Sequence, residues 1–139
     1  MKNGGDMVYE IEKAFVEQYV IKNRQERLLF ELGGKKRQHG IGRFCHNAEA
    51  LVKAEKIVAS GNKLFADEIL SIAKQYNASG SCYIIAYNES LDGKQCKLKE
   101  ALGRVLGNGM AAIIVCGNFA VIETEQCEGT PMRYILHCR

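Results

Sequence analysis

Val8, Ile11, Phe15 and Tyr19, with Lys22 next in the series, recur at helical spacing, and Glu10, Glu12, Lys13 and Glu17 fill the positions between them. An apolar stripe of that period predicts an amphipathic helix over 7–22. Asn23 followed three residues later by Glu26 has the form of a capping box, which predicts a second helix that buries Leu28, Leu29 and Leu32 and ends at Gly33-Gly34. Asn47 can cap a third helix reaching about Val58, and Phe65, Ile69, Ile72, Ala73 and Tyr76 mark one face of a fourth over 64–76. Turn residues Ala59-Ser60-Gly61-Asn62 separate these two, and Asn77-Ala78-Ser79-Gly80 closes the helical half.

Beyond Gly80 the pattern changes. Cys82–Tyr87 is an aromatic and β-branched run, and Met110–Cys116 is continuously apolar over the length of a strand. Such runs call for cover on both faces of a sheet. Leu98, Ala101, Leu102, Val105 and Leu106 between them predict a helix stopped by Gly107-Asn108-Gly109, a unit compatible with a βαβ crossover or with an antiparallel pair carrying a helix. Gly117-Asn118 fits a two-residue hairpin turn into Phe119–Glu123, and Thr130-Pro131 precedes a last strand, Met132–Cys138. Helices first and strands second imply an α+β fold. The expected architecture is a single domain, 1–139, in which an N-terminal group of three or four helices (7–76) packs across one face of a small, mostly antiparallel C-terminal sheet with one further helix (80–139). Phe65, Ile69, Ile72, Ile84, Ile113 and Val115 are its expected core.

Length and composition agree with this reading. A chain of 139 residues with 47% apolar and 25% charged content suits one soluble globular domain rather than a disordered segment. No stretch approaches the roughly 18 apolar residues of a membrane helix, and Met1–Met7 lacks the apolar core of a signal peptide. The expected location is therefore cytoplasmic, with no membrane partner. In that compartment the six cysteines (Cys45, Cys82, Cys96, Cys116, Cys127 and Cys138) are expected to be reduced, Cys82 and Cys116 as buried thiols.

Charge changes the picture more than composition does. Residues 1–47 carry all of the net +3, and Lys22–Arg43 alone carries +5, with no acidic residue between Glu31 and Glu49. The densest stretch is 33–47, where Gly33, Gly34, Gly40 and Gly42 accompany cations and two of the three histidines. Lys35, Lys36, Arg37, His39, Arg43 and His46 are the candidate binding residues: glycines free the backbone N–H groups to converge while the cations attract an anionic partner. A solvated loop is the competing reading. Replacing Lys35, Lys36 and Arg37 together is expected to spare folding.

Specific chemistry is harder to support. No Gly-x-x-x-x-Gly-Lys-Ser/Thr loop is present, and Gly40-Ile41-Gly42 lacks the third glycine and the preceding strand of a dinucleotide fingerprint. Nucleic acid would be gripped by Arg and Lys with Phe44 or His39 stacking, but a pI near 8.5 is modest for such proteins. Cys45-His46 and His137-Cys138 together offer two sulfurs and two nitrogens, yet adjacent residues seldom ligate one ion, so no metal and no cofactor is assigned. Cys45 has no readable base or oxyanion hole for nucleophilic catalysis, and no catalytic residue is assigned. Glu123 and Glu125 are expected to decorate an exposed sheet edge. The functional expectation is a non-catalytic binding protein, of inhibitor or immunity type, that presents 33–47 to an acidic protein partner. The alternatives are a small enzyme or ligand-binding domain with a pocket around Cys45 and His46 between helices and sheet, and a nucleic-acid-binding module. Oligomeric state is left open.

Overall fold

A computed structural model describes residues 4–78, 80–125 and 131–138, with side chains from Tyr9 onward. Six helices and six strands follow in the order α1 (Gly4–Tyr19), α2 (Lys22–Leu32), α3 (Arg37–His46), α4 (Ala48–Leu51), β1 (Ile57–Gly61), α5 (Ala66–Gln75), β2 (Ser81–Ala86), β3 (Gln95–Lys97), α6 (Leu98–Val105), β4 (Ala112–Cys116), β5 (Phe119–Glu123) and β6 (Arg133–His137). The strands form one sheet in the order β1-β6-β5-β4-β2-β3, antiparallel throughout. The fold is α+β, as the change of period at Gly80 implies. Pairing of β2 with β4 is antiparallel, which settles the choice that the sequence leaves between a crossover and an antiparallel pair.

The sheet has two cores. Phe15, Val16, Tyr19, Leu28, Ile41 and Phe44 from α1–α3 pack on the face formed by Tyr83, Ile85, Ile113, Ala120, Ile122 and Leu136. Ile69 and Ala73 from α5, with Leu98, Ala101, Leu102 and Val105 from α6, cover the opposite face, formed by Ile84, Ile114, Phe119, Val121 and Ile135. Helices on a single face were expected; α5 departs from that arrangement. The reason is topological. β1 lies at one edge of the sheet and β2 beside the other, so the connection must cross β6, β5 and β4, and the front face is already taken by α1–α4. Every residue of β4 and β5 is buried, as strands covered on both sides require.

Several local expectations change. The helix expected from Asn47 to Val58 is instead the single turn α4, a 3-10 turn at Ala54–Lys56, and the edge strand β1, whose register slips between Ile57 and Ala59. Ile57 and Val58 are β-branched and favour an extended backbone over a helix, and Ile57 and Ala59 pair with Leu136 and Ile135 of β6. The helical part 7–76 therefore contributes a strand to the sheet. Glu123 lies inside the sheet with no exposure, where Arg133 donates Nε–H to Oε1 and Gly107 N–H donates to Oε2 at 2.8 Å, so it decorates no edge. Phe65 is 50% exposed because it caps α5 rather than continuing it, and its ring lies under the Arg133 guanidinium. Ile72 is half-buried, whereas Ile69, Ile84, Ile113 and Val115 are buried as expected.

Cys82 and Cys116 are not thiols but a disulfide. They face each other across β2 and β4 with Cα atoms 4.4 Å apart, the spacing of a directly opposed antiparallel pair. Cys45 and Cys96 carry thiols, and Cys127 lies outside the described residues.

Two glycines hold the connections. Gly117, at φ +58°, begins the two-residue turn that the sequence predicts between β4 and β5. Gly40 lets α3 approach α2: a Cβ at that position would stand 2.8 Å from the Cβ of Glu31. In an exposed helix Gly→Ala gains about 1 kcal/mol, but here overpacking at roughly 1 to 3 kcal/mol reverses the sign. Gly40→Ala is expected to lower the midpoint of urea denaturation. Ile69→Ala and Ile113→Ala, one in each core, should each cost about 2 to 5 kcal/mol in the same measurement; an unchanged midpoint for either would mean that its face is not packed.

Candidate functional site

The basic segment is a helix, not a loop. Residues 37–46 form α3, which turns Ile41, Phe44 and Cys45 into the core and leaves His39, Gly42, Arg43 and His46 along one outer face. That division separates the candidate binding residues into two groups with different physical roles.

Arg37, the first residue of α3, points inward. Its Nη1 donates to Glu12 Oε1 at 2.8 Å and to the Leu32 carbonyl at 2.8 Å; Nη2 donates to Glu12 Oε2 at 2.7 Å and Asp92 Oδ1 at 2.9 Å; Nε donates to Asp92 Oδ2 at 2.6 Å. All five guanidinium N–H groups are used. The acceptors are held in turn, because Tyr83 O–H donates to Glu12 Oε2 at 2.7 Å and Ala86 N–H donates to Asp92 Oδ1 at 3.0 Å. Its hydrogen bonds to the Asp92 and Glu12 carboxylates push the guanidinium pKa further up. Arg37 therefore has no donor to offer a partner, and the expectation that it can be replaced without cost to folding is corrected: its charge is neutralised by Glu12 and Asp92, which are distant in sequence.

Arg43 is intermediate. Its two terminal nitrogens each contact Glu31 at 2.5 Å, and Arg27 approaches the same carboxylate at 3.5 Å. Hydrogen bonding by Arg43 holds the Glu31 carboxyl below the ordinary carboxylate range, although burial pulls it the other way. The Arg43 side chain keeps 26% of its surface exposed, so it both braces α2 against α3 and borders solvent.

Lys35 and Lys36 are exposed on the α2–α3 connection, and His39 and His46 are exposed on α3. His39, Gly42, Arg43 and His46 line an open cleft of about 600 Å³, whose other wall is Tyr87, just after β2, with Met110 before β4 and Glu125 after β5. Tyr87 and Met110 are 46% and 41% exposed. The Tyr87 ring lies beside Gly42, where a Cβ would meet it at an ordinary contact distance of 3.7 Å. Three of the six candidate residues thus converge in one cleft, two stand apart on the connection before it, and Arg37 is part-buried between Glu12 and Asp92.

Tyr87 and Met110 were missed as site residues because their strands were expected to be buried from end to end. The signal was positional: each is the outermost residue of its apolar run, and Met110 follows Gly109. Cys45 does not join His46. It lies fully buried on the other side of α3, its thiol 3.9 Å from the Ala112 carbonyl, and burial pushes its pKa up, so it is not poised as a nucleophile. His137 stacks on Tyr76 at a centroid distance of 4.4 Å, next to the second core rather than the cleft. Among the described residues no group of three or more His, Cys, Asp or Glu is arranged to hold a metal ion, and no helix is long and apolar enough to cross a membrane.

Comparison with protein-family models, with curated proteins and with solved structures returns no match.

Removing Arg37 leaves the buried Glu12 and the part-buried Asp92 carboxylates without their cation, and Arg37→Ala should cost about 3 kcal/mol in denaturant unfolding, whereas the exposed double replacement Lys35→Ser/Lys36→Ser should stay within about 0.5 kcal/mol of wild type. The Glu31–Arg43 pair predicts a pH dependence. A carboxyl depressed on folding contributes stability above its unfolded value, about 4.5, and loses it as pH falls through the folded value. The stability gap between wild type and Arg43→Ala should be widest near neutrality and narrow as pH drops below about 4.5, as urea denaturation over a pH series will test; a gap independent of pH would contradict this.

Proposed function

We propose that this protein binds an acidic segment of a partner protein in the cleft beside α3, without catalysing a reaction on it. The observation that carries this reading is the convergence of His39, Arg43 and His46 with the exposed apolar side chains of Tyr87 and Met110 in one open cleft. Imidazole and guanidinium donors beside an aromatic ring and a thioether suit a peptide that alternates carboxylates with an apolar anchor: the anchor is desolvated against Tyr87 and Met110, and the carboxylates accept from His39, His46 and the exposed part of Arg43, on the side of the cleft away from Glu125. Lys35 and Lys36, exposed at the approach to the cleft, extend the positive field without being needed to hold the bound segment. Inhibitor and immunity-type proteins act by such occupancy alone, which fits a cleft whose neighbouring cysteine is sealed from it.

A fluorescein-labelled peptide of alternating Glu and Leu is the probe. Wild type should bind it, and His39→Ala/His46→Ala/Tyr87→Ala should weaken binding by about tenfold or more, since a central aromatic anchor contributes on the order of 2 kcal/mol. Lys35→Ser/Lys36→Ser should chiefly slow association. A thymidine oligonucleotide that binds at least as tightly as the peptide, with Tyr87→Ala as the most damaging change, would replace this reading by a nucleic-acid one.

A further inference from the structure

Three cysteines stand in a row across neighbouring strands. Cys82 on β2 is opposite Cys116 on β4, to which it is disulfide-bonded, and opposite Cys96 on β3, with which it is paired in register. Directly opposed residues of antiparallel strands project from the same face, and Cys96 accordingly packs against the second core, which contains Cys82 and Cys116. The three residues thus stand side by side across β3, β2 and β4 on one face of the sheet, with Cys96 on the Cys82 side of the disulfide. Cys82 is therefore the disulfide sulfur next to Cys96, and its attack by a Cys96 thiolate would expel Cys116.

Accessibility falls along the same line. Cys116 and Cys82 are 3% and 1% exposed, whereas Cys96, on the outermost strand, is partly exposed. An external thiol cannot reach the disulfide without opening the sheet, but it can reach Cys96.

We propose that Cys116, Cys82 and Cys96 form a thiol–disulfide exchange relay, by which a low-molecular-weight thiol at the sheet edge gains access to the buried disulfide. In the first step the Cys96 thiolate attacks Cys82 Sγ. The Cys82–Cys116 bond breaks, a Cys82–Cys96 bond forms, and Cys116 leaves as a thiolate and takes up the proton that Cys96 released. No oxidant or reductant is consumed. In the second step the external thiolate attacks the exposed Cys96 sulfur, expels Cys82 as a thiolate and leaves a mixed disulfide on Cys96. A second external thiol resolves that bond, giving three protein thiols and one molecule of the oxidised external disulfide. Desolvation pushes the Cys96 thiol up and Glu100 on α6 adds to this, with Arg104 opposing, so the relay works slowly and selectively rather than as a general reductase.

The relay is tested by reducing the oxidised protein with glutathione under native conditions, trapping with acid and alkylating agent, and mapping the labelled peptides. Cys96→Ala should slow appearance of the Cys116 thiol by about tenfold or more, because direct attack then waits on opening of the sheet, and the glutathione adduct on wild type should sit on Cys96. In Cys116→Ala, treatment with oxidised glutathione should yield a Cys82–Cys96 linkage. Reduction of Cys96→Ala at the wild-type rate would overturn the proposal, as would an adduct at Cys127 or Cys138 in place of Cys96. So would a folded Cys116→Ala protein that never forms the linkage. If Cys116→Ala does not fold, the comparison of wild type with Cys96→Ala decides the question.

Discussion

The Arg37 guanidinium is the joint on which the front half of the molecule depends. Through its five donors it fastens the start of α3 to α1 at Glu12, to the end of α2 at Leu32, and to the β2–β3 connection at Asp92, while Tyr83 and Ala86 of β2 hold the same carboxylates. Burying one cation and two anions is costly unless each is fully bonded, and here each is. The consequence is angular. With its first residue pinned, α3 has one rotation in which Ile41, Phe44 and Cys45 enter the core, and in that rotation His39, Arg43 and His46 must face Tyr87. A second pair, Glu31 with Arg43, fixes the crossing of α2 over α3 where Gly40 lets the helices touch. The cleft is therefore the outward side of a geometry set by buried charges.

Most of the architecture was legible in the chain. α1, α2, α5, α6, β2, β4, β5 and β6 fall within a few residues of the positions that hydrophobic period, capping and turn residues assign. The instructive error concerns layers. The continuous apolar run Met110–Cys116 already demanded cover on both faces of the sheet, which a helical group on one face cannot supply; α5 and α6 satisfy the demand. β1 was unreadable for a different reason: a five-residue edge strand with a register slip acquires its identity from pairing with β6, some 75 residues downstream, and local propensity carries little of that information.

The site was legible only in part, because charge density in a sequence does not reveal which charges are spent. Lys35, Lys36, Arg37, His39, Arg43 and His46 look alike as a cluster, yet Arg37 is satisfied by Glu12 and Asp92, 25 and 55 residues away. Those partners could not be assigned without the fold. The same holds for Glu123, whose companion Arg133 stands opposite it only once β5 and β6 pair. The apolar half of the cleft was hidden by the opposite mistake, since Tyr87 and Met110 belong to runs that are otherwise buried.

The two margins of the sheet are built differently from its centre. β4 and β5 are buried and, Glu123 apart, apolar, the composition that favours strand-to-strand growth between molecules. At one margin β3 is only three residues long; at the other β1 slips register and carries Val58 and Ser60 on its exposed side. A short strand and a kinked one give an incoming chain little straight backbone to pair with. The apolar centre of the sheet is thereby kept from presenting a straight pairing edge to another molecule, because the regular ladder ends before it reaches the surface.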